Sequence, residues 1–168
     1  MASATNFIEF SRPFINAAKN VFETMVFTKL EPQKPGLKKS QVSNGDVSSV
    51  LGLSGELTKG GDTIEYRAML VLSWPYETYF KVASAMLMET YEEYNDDIAD
   101  VGGEICNMIM GNAKRDLAVM GYSSNMAIPS IIEGPKHTIK YPVGTTVVEI
   151  PINSAHGKMF MELCYAEF

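Results

Sequence analysis

The chain has 168 residues, 46% of them hydrophobic and 20% charged, with a formal net charge of −6. That is enough apolar mass for one well-buried domain spanning residues 1–168, and it excludes a disordered or fibrous chain. The excess of acid, with basic residues grouped only at Lys34, Lys38 and Lys39, argues against a nucleic-acid surface, which needs clustered cations to neutralise phosphates.

The start, Met1 to Glu9, lacks the basic segment and apolar core of a secretion signal. No apolar run approaches the roughly 20 residues that cross a bilayer. The expectation is a cytoplasmic protein with no membrane partner.

Residues 6 to 26 read as a helix, with Ser11 as its candidate N-cap, Pro13 in the first turn, and Phe14, Ala18, Val21 and Met25 at helical spacing. Lys29 to Gly45 holds Pro32, Pro35, Gly36 and Gly45 and reads as a short extended piece followed by a loop. Two strands follow, Val47 to Leu57 and Thr63 to Ser73, joined by a hairpin loop in which Gly60 and Gly61 can take positive φ. The second strand alternates at its start and then turns apolar on both faces, so its latter half should be covered on both sides. Pro75 to Thr90 reads as a helix with Tyr79, Val82, Ala83, Met86 and Leu87 inward, and a further helix runs from about Asp96 to Met120. After Gly121 come an extended piece, Met126 to Ile132, a turn at Glu133 to Pro135, and strands around Thr145 to Ile152 and Lys158 to Ala166. Helix, strands, two helices, strands is the pattern of an α+β fold with helices packed on antiparallel sheet.

The helix from Asp96 is the most informative segment. At about 100° per residue, Ile98, Val101, Ile105, Met108 and Ile109 fall within roughly 50° of one direction, an ordinary core stripe. Asp100, Glu104, Asn107 and Gly111 gather on the opposite side, between about 180° and 240° from Ile98. Glu104 and Asn107 are three apart, which makes them surface neighbours, roughly 5–6 Å between Cβ atoms. A glycine within a helix costs on the order of 1 kcal/mol relative to alanine, so Gly111 beside a carboxylate and a carboxamide points to close approach by another molecule. On spacing alone the same face reads as ordinary solvated surface.

The pattern Asp100-x3-Glu104-x2-Asn107-x3-Gly111 resembles the signature of the CheC/CheX/FliY family, phosphatases that act on the phosphorylated chemotaxis response regulator. The rest of the chain follows a compatible order: an opening helix containing Pro13-Phe14-Ile15-Asn16-Ala17, a central pair of strands, and Trp74-Pro75 opening another helix. Its length is similar to that of the single-site CheX branch. The resemblance implies a CheC-like α+β fold with antiparallel sheet, two long helices and an N-terminal helix, and the activity of a protein aspartyl-phosphate phosphatase. Its substrate would be a phosphorylated CheY-like response regulator. Glu104 and Asn107 would be the catalytic pair, with Asp100, Gly103, Gly111 and Lys114 in partner-binding or supporting positions. The enzyme would need no cofactor of its own, because the regulator would bring its Mg²⁺, and a homodimer joined through sheet edges is expected.

The chemistry follows from the substrate. An aspartyl phosphate is an activated mixed anhydride, so what remains is positioning: Asn107, with one carbonyl acceptor and an NH₂ donor, would hold a water in line, as a glutamine does in GTPases. Glu104 would dock against the lysine of the regulator's site. Members with two sites carry the motif twice, and aligning the opening helix by spacing puts Ser11, Ile15, Ala18 and Phe22 on the four positions. On that alignment helix one is a retired site; the alternative is shared amphipathicity alone.

Other features read plainly. Six acids between Glu89 and Asp100 lack the spacing and glycine pivot of a calcium loop. Cys106 and Cys164 have no C-x2-C partner and read as small buried hydrophobes. With only His137 and His156 present, a nucleophile triad has little to draw on, and no phosphate-loop glycine pattern occurs. Met108 and Met110, beside the motif, are candidates for a binding rim. The competing functional readings are a non-catalytic CheC-like adaptor, of the kind found in the flagellar switch, and a small-ligand sensor. An adaptor has no need of the amide at Asn107.

Overall fold

The computed structural model describes residues 4–168; Met1 to Ser3, part of the stretch read for a targeting signal, lie outside the described residues. Helix α1 covers Ala4–Val21 and runs on into a π-helical turn, Phe22–Val26. Two-residue strands β1 (Glu31–Pro32) and β2 (Gly36–Leu37) precede the long hairpin of β3 (Val47–Lys59) and β4 (Asp62–Trp74). Helices α2 (Tyr76–Leu87) and α3 (Val101–Val119) come next, then β5 (Asn125–Met126), β6 (Ser130–Glu133), β7 (Val147–Asn153) and β8 (Met159–Glu167). The fold is α+β, three helices with an antiparallel sheet, the class the sequence pattern leads one to expect.

The strands form one antiparallel sheet in the order β1-β7-β8-β4-β3-β5, with β2 also on β7 and β6 also on β3. At its centre β4 pairs with β8, Leu70 opposite Leu163. A helix followed by a hairpin therefore occurs twice, α1 with β3-β4 and α3 with β7-β8, and the second strands of the two hairpins meet antiparallel in mid-sheet. The β3-β4 turn is tighter than the sequence reading had it: Lys59 pairs with Asp62, leaving only Gly60 and Gly61, at φ 61° and 87°, the mirror-image turn that fits strand twist.

One sheet face carries the helices. Leu51, Leu70, Leu72, Met161 and Leu163 are buried there against Phe14, Ile105 and Ile109, and Phe10 sits among the rings of Tyr66, Tyr122 and Tyr165 at 4.7–5.7 Å. The other face is closed by loops, as the two-sided hydrophobicity of late β4 predicts. Under them Lys38 Nζ meets the wholly buried Glu162 at 2.8 Å, and Tyr141 donates to the same carboxylate at 2.6 Å. Ser43, Ser48 and Ser73 form a second buried cluster, with Ser48 Oγ 2.7 Å from His137 Nε2. Lys38, which the sequence shows only as one of three grouped basic residues, is thus an interior counter-ion.

Several expectations are corrected. Ser11 is not an N-cap; α1 begins seven residues earlier, and the Ser11 hydroxyl donates back to the Ile8 carbonyl at 2.8 Å. Pro13 lies mid-helix, where it has no N–H for the carbonyl one turn before. Packing of Phe10 and Phe14 on the tyrosine cluster outweighs both local signals. Met25 and Leu87, expected inward, are 40% and 39% exposed, because the π-helical turn rotates the first and α2 ends at the second.

Candidate functional site

The motif helix starts later than the acid-rich sequence suggests. Residues 96–100 form turns, with Asn95 Oδ1 accepting from the Asp97 amide at 2.9 Å, and α3 begins at Val101 with Asp100 as its exposed N-cap residue. Asp100 therefore lies at the mouth of the helix, its side chain making no capping bond; an acid at this position is favoured by the positive end of the helix dipole. The cap comes from elsewhere. Fully buried Tyr79 on α2 accepts a hydrogen bond from the Gly102 amide at 3.0 Å and donates one to the Ile98 carbonyl at 2.7 Å. Sequence reasoning placed Tyr79 inward and missed this role; the available signal was that a buried tyrosine hydroxyl needs a partner.

Gly102 is where α3 touches the sheet: a Cβ there would stand 3.1 Å from both Ser49 Oγ and Trp74 Cζ3. Beyond it the helix carries Ile105, Cys106, Ile109, Met110, Ala113 and Leu117 into the core, all fully buried. Met110 is thereby corrected from rim to core, while Met108 stays half-buried. Burial pushes the Cys106 thiol up to about 12 and the Cys164 thiol to about 11, so neither is a nucleophile or a metal ligand as it stands.

The opposite face points outward. Glu104 is exposed, Asn107 half-buried, and Gly111 and Lys114 exposed. Glu104 and Asn107 make no side-chain hydrogen bond or ion pair among the described residues. Gly111 has nothing within 4 Å of where a Cβ would stand, so packing does not require glycine there. Gly103, half-exposed, lies beside the β5-β6 connection, with Pro129 Cβ 3.7 Å from its would-be Cβ. Four of the sequence-predicted residues thus share one surface of a single helix, and Asp100 and Gly103 flank its start.

The corresponding positions of α1 do not form a surface. Ser11, Ala18 and Phe22 are buried and Ile15 half-buried, so the spacing-based alignment does not describe a retired site open to solvent. What remains of the echo is the repeated helix-hairpin order. The acids from Glu89 to Asp100 are exposed, and among the described residues no cluster of His, Cys, Asp and Glu is arranged to hold a metal ion. No helix among them is long and apolar enough to cross a membrane.

Residues 61–153 match the family described as chemotaxis phosphatase CheX. The chain belongs to the CheX family. Solved CheX structures agree over nearly the whole length. The chemotaxis protein CheX of Vibrio vulnificus is 32% identical, covered over 94% of this chain and 99% of that one, with a TM-score of 0.80. CheX of Desulfovibrio desulfuricans is also 32% identical, over the same shares of the two chains, with a TM-score of 0.81. A CheX-CheY-BeF3-Mg²⁺ complex from Borrelia burgdorferi matches at 27% identity, over 94% of this chain and 97% of that one, with a TM-score of 0.73. No curated protein matches the sequence. The expected kinship to the CheX branch and the CheC-like fold therefore hold.

Proposed function

We propose that this CheX-family chain is a phosphatase for the aspartyl phosphate of a CheY-like response regulator, working through Glu104 and Asn107. The observation that carries the reading is that a carboxylate and a carboxamide, one turn apart on α3, lie on its outer face with no side-chain hydrogen bond or ion pair among the described residues. A polar pair held on a helix anchored by Gly102 and Tyr79 is suited to entering another protein's cleft without rearranging. The Borrelia CheX relative found in complex with CheY supports the choice of partner.

In this mechanism α3 docks across the regulator's phosphorylation site. Glu104 pairs with the site's lysine, aligning the two proteins; it takes no proton, since a loose phosphoryl-transfer transition state gains little from early deprotonation of water. Asn107 enters the site and fixes a water in line with phosphorus, its carbonyl accepting from the water and its NH₂ donating to the phosphoryl group or the regulator's backbone. Water attacks phosphorus, the P–O bond to the aspartate breaks, and the aspartate leaves as carboxylate with inorganic phosphate as product. Mg²⁺ held by the regulator's own residues would supply charge neutralisation at the phosphoryl group. A hundredfold acceleration asks about 2.7 kcal/mol of the inserted amide, within the range for orienting a single nucleophile. Asp100 at the helix mouth, Gly103 and Gly111 as clearance, and Lys114 along the same face support docking. A homodimer through sheet edges belongs to the same reading and is read out by sedimentation velocity.

The test is phosphate release from purified CheY charged with acetyl phosphate in Mg²⁺. Release accelerated well above the regulator's own rate, in proportion to added protein, is expected. Tight binding without acceleration would make the chain an adaptor instead.

A further inference from the structure

The outward strip of α3 is too small to hold a regulator alone. A helix of 19 residues is roughly 28 Å long and about 10 Å wide with its side chains, on the order of 300 Å², whereas even a weak signalling encounter covers about 500–600 Å² on each partner. The contact must spread to one flank. On the α1 side the surface is polar and tied down, Asn20 donating to Asn112 across the two helices at 2.9 Å.

The other flank differs. Between the pairs Leu53-Met126 and Val50-Ser130, three residues of the edge strand, Ala127 to Pro129, stand opposite two of β3, Leu51 and Gly52, so the edge bulges. Ile128 at its apex is 89% exposed, and Met126 is 40% exposed. The bulge abuts α3 at Gly103, through Pro129. Asn107 follows Gly103 by one turn and lies only about 40° round the helix from it, but about 140° from Asn112; the amide leans toward the bulge and away from α1. The β5-β6 segment runs antiparallel to α3, since Ile131 and Pro129 lie by Gly102 and Gly103, which brings Ile128 level with the turn between Gly103 and Asn107.

We propose that Ile128 forms an apolar docking ledge for the response regulator, continuous with the Glu104–Asn107 face, that seats the regulator while Asn107 enters its site. The proposal rests on the phosphatase reading above. It assigns Ile128 to affinity and positioning, with no part in bond-breaking. A β-branched side chain, stiff at χ1, is a low-entropy contact, and its burial in the complex supplies binding in ground and transition state alike, the signature of which is KM without kcat.

The measurement is steady-state phosphate release from CheY charged with acetyl phosphate, for Ile128→Ser, Ile128→Leu and Asn107→Ala in parallel. The exposure of Ile128 makes both of its replacements fold normally, checked by unchanged Tm. Expected are a KM raised about tenfold in Ile128→Ser at wild-type kcat, near-wild-type KM in Ile128→Leu, and loss of kcat in Asn107→Ala. Unchanged KM in Ile128→Ser beside an inactive Asn107→Ala overturns the ledge alone. Normal turnover by Asn107→Ala overturns the reading beneath it.

Discussion

The Tyr79 hydroxyl, carried by one helix, caps the amide of Gly102 at the start of the next, 3.0 Å away. The first N–H groups of a helix have no partner within it, and no side chain of α3's own N-cap residue serves here. The element bearing Glu104 and Asn107 is thus pinned at its origin by a residue wholly inside the core. Tyr79→Phe is expected to cost about 1–2 kcal/mol by leaving a buried donor and the Ile98 carbonyl short of a partner, a fall in Tm of about 2–8 °C. Thermal unfolding by circular dichroism measures it; an unchanged Tm would mean that the cap contributes nothing.

Gly111 separates stability from function. With nothing within 4 Å of its missing Cβ, Gly111→Ala gains helix propensity at no steric cost and should stabilise the chain by about 0.5–1 kcal/mol. If the bare backbone is there to admit the regulator, the same variant raises KM for phosphorylated CheY. A more stable protein with undiminished affinity would show that the glycine serves no docking purpose.

Glu104 is assigned to docking. Charge reversal in Glu104→Lys puts two cations face to face in the complex, so affinity for CheY held with BeF3 and Mg²⁺ should fall by about tenfold or more, with Tm little changed because the side chain is exposed. Isothermal titration reports it, and an affinity equal to wild type would remove the ion pair from the mechanism.

The buried thiols set an alkaline limit. Cys106 is raised from 9.0 to about 12 and Cys164 from 9.0 to about 11 by burial. The folded pKa lies above the unfolded value, so the stability these groups contribute is full below about 9 and lost progressively as pH rises through 11 to 12. Tm should therefore fall between pH 9 and pH 11, and the fall should shrink in Cys106→Ala relative to its own value at neutral pH. Thiol reagents should leave both cysteines untouched in the native protein at pH 8 and modify both after unfolding.

Much of this architecture was readable where one period dominates. The stripe from Val101 through Ile105 to Ile109 is buried as its spacing requires, and the hairpin glycines sit at the turn. The face holding Glu104, Asn107 and Gly111 was legible for the same reason, as the complement of that stripe. What escaped depends on distant partners. The start of α3 is set by Asn95 and by Tyr79 from another helix, whereas acids at 96, 97 and 100 are equally compatible with a helical first turn. Ser11 carries a capping side chain, but the aromatic packing of Phe10 outweighs it. Lys38 and Glu162 are 124 positions apart, and nothing local in the sequence pairs them. Ile128 projects because of a three-against-two mismatch between strands, which no local pattern encodes.

The central claim is that Asn107 performs the chemistry by orienting water while its neighbours dock the regulator. Single-turnover phosphate release, with Asn107→Ala in excess over phosphorylated CheY and binding measured in the same solution, tests it most directly. Expected are complex formation at near-wild-type affinity and a release rate no faster than that of CheY alone. Release at the wild-type rate from that complex would contradict it.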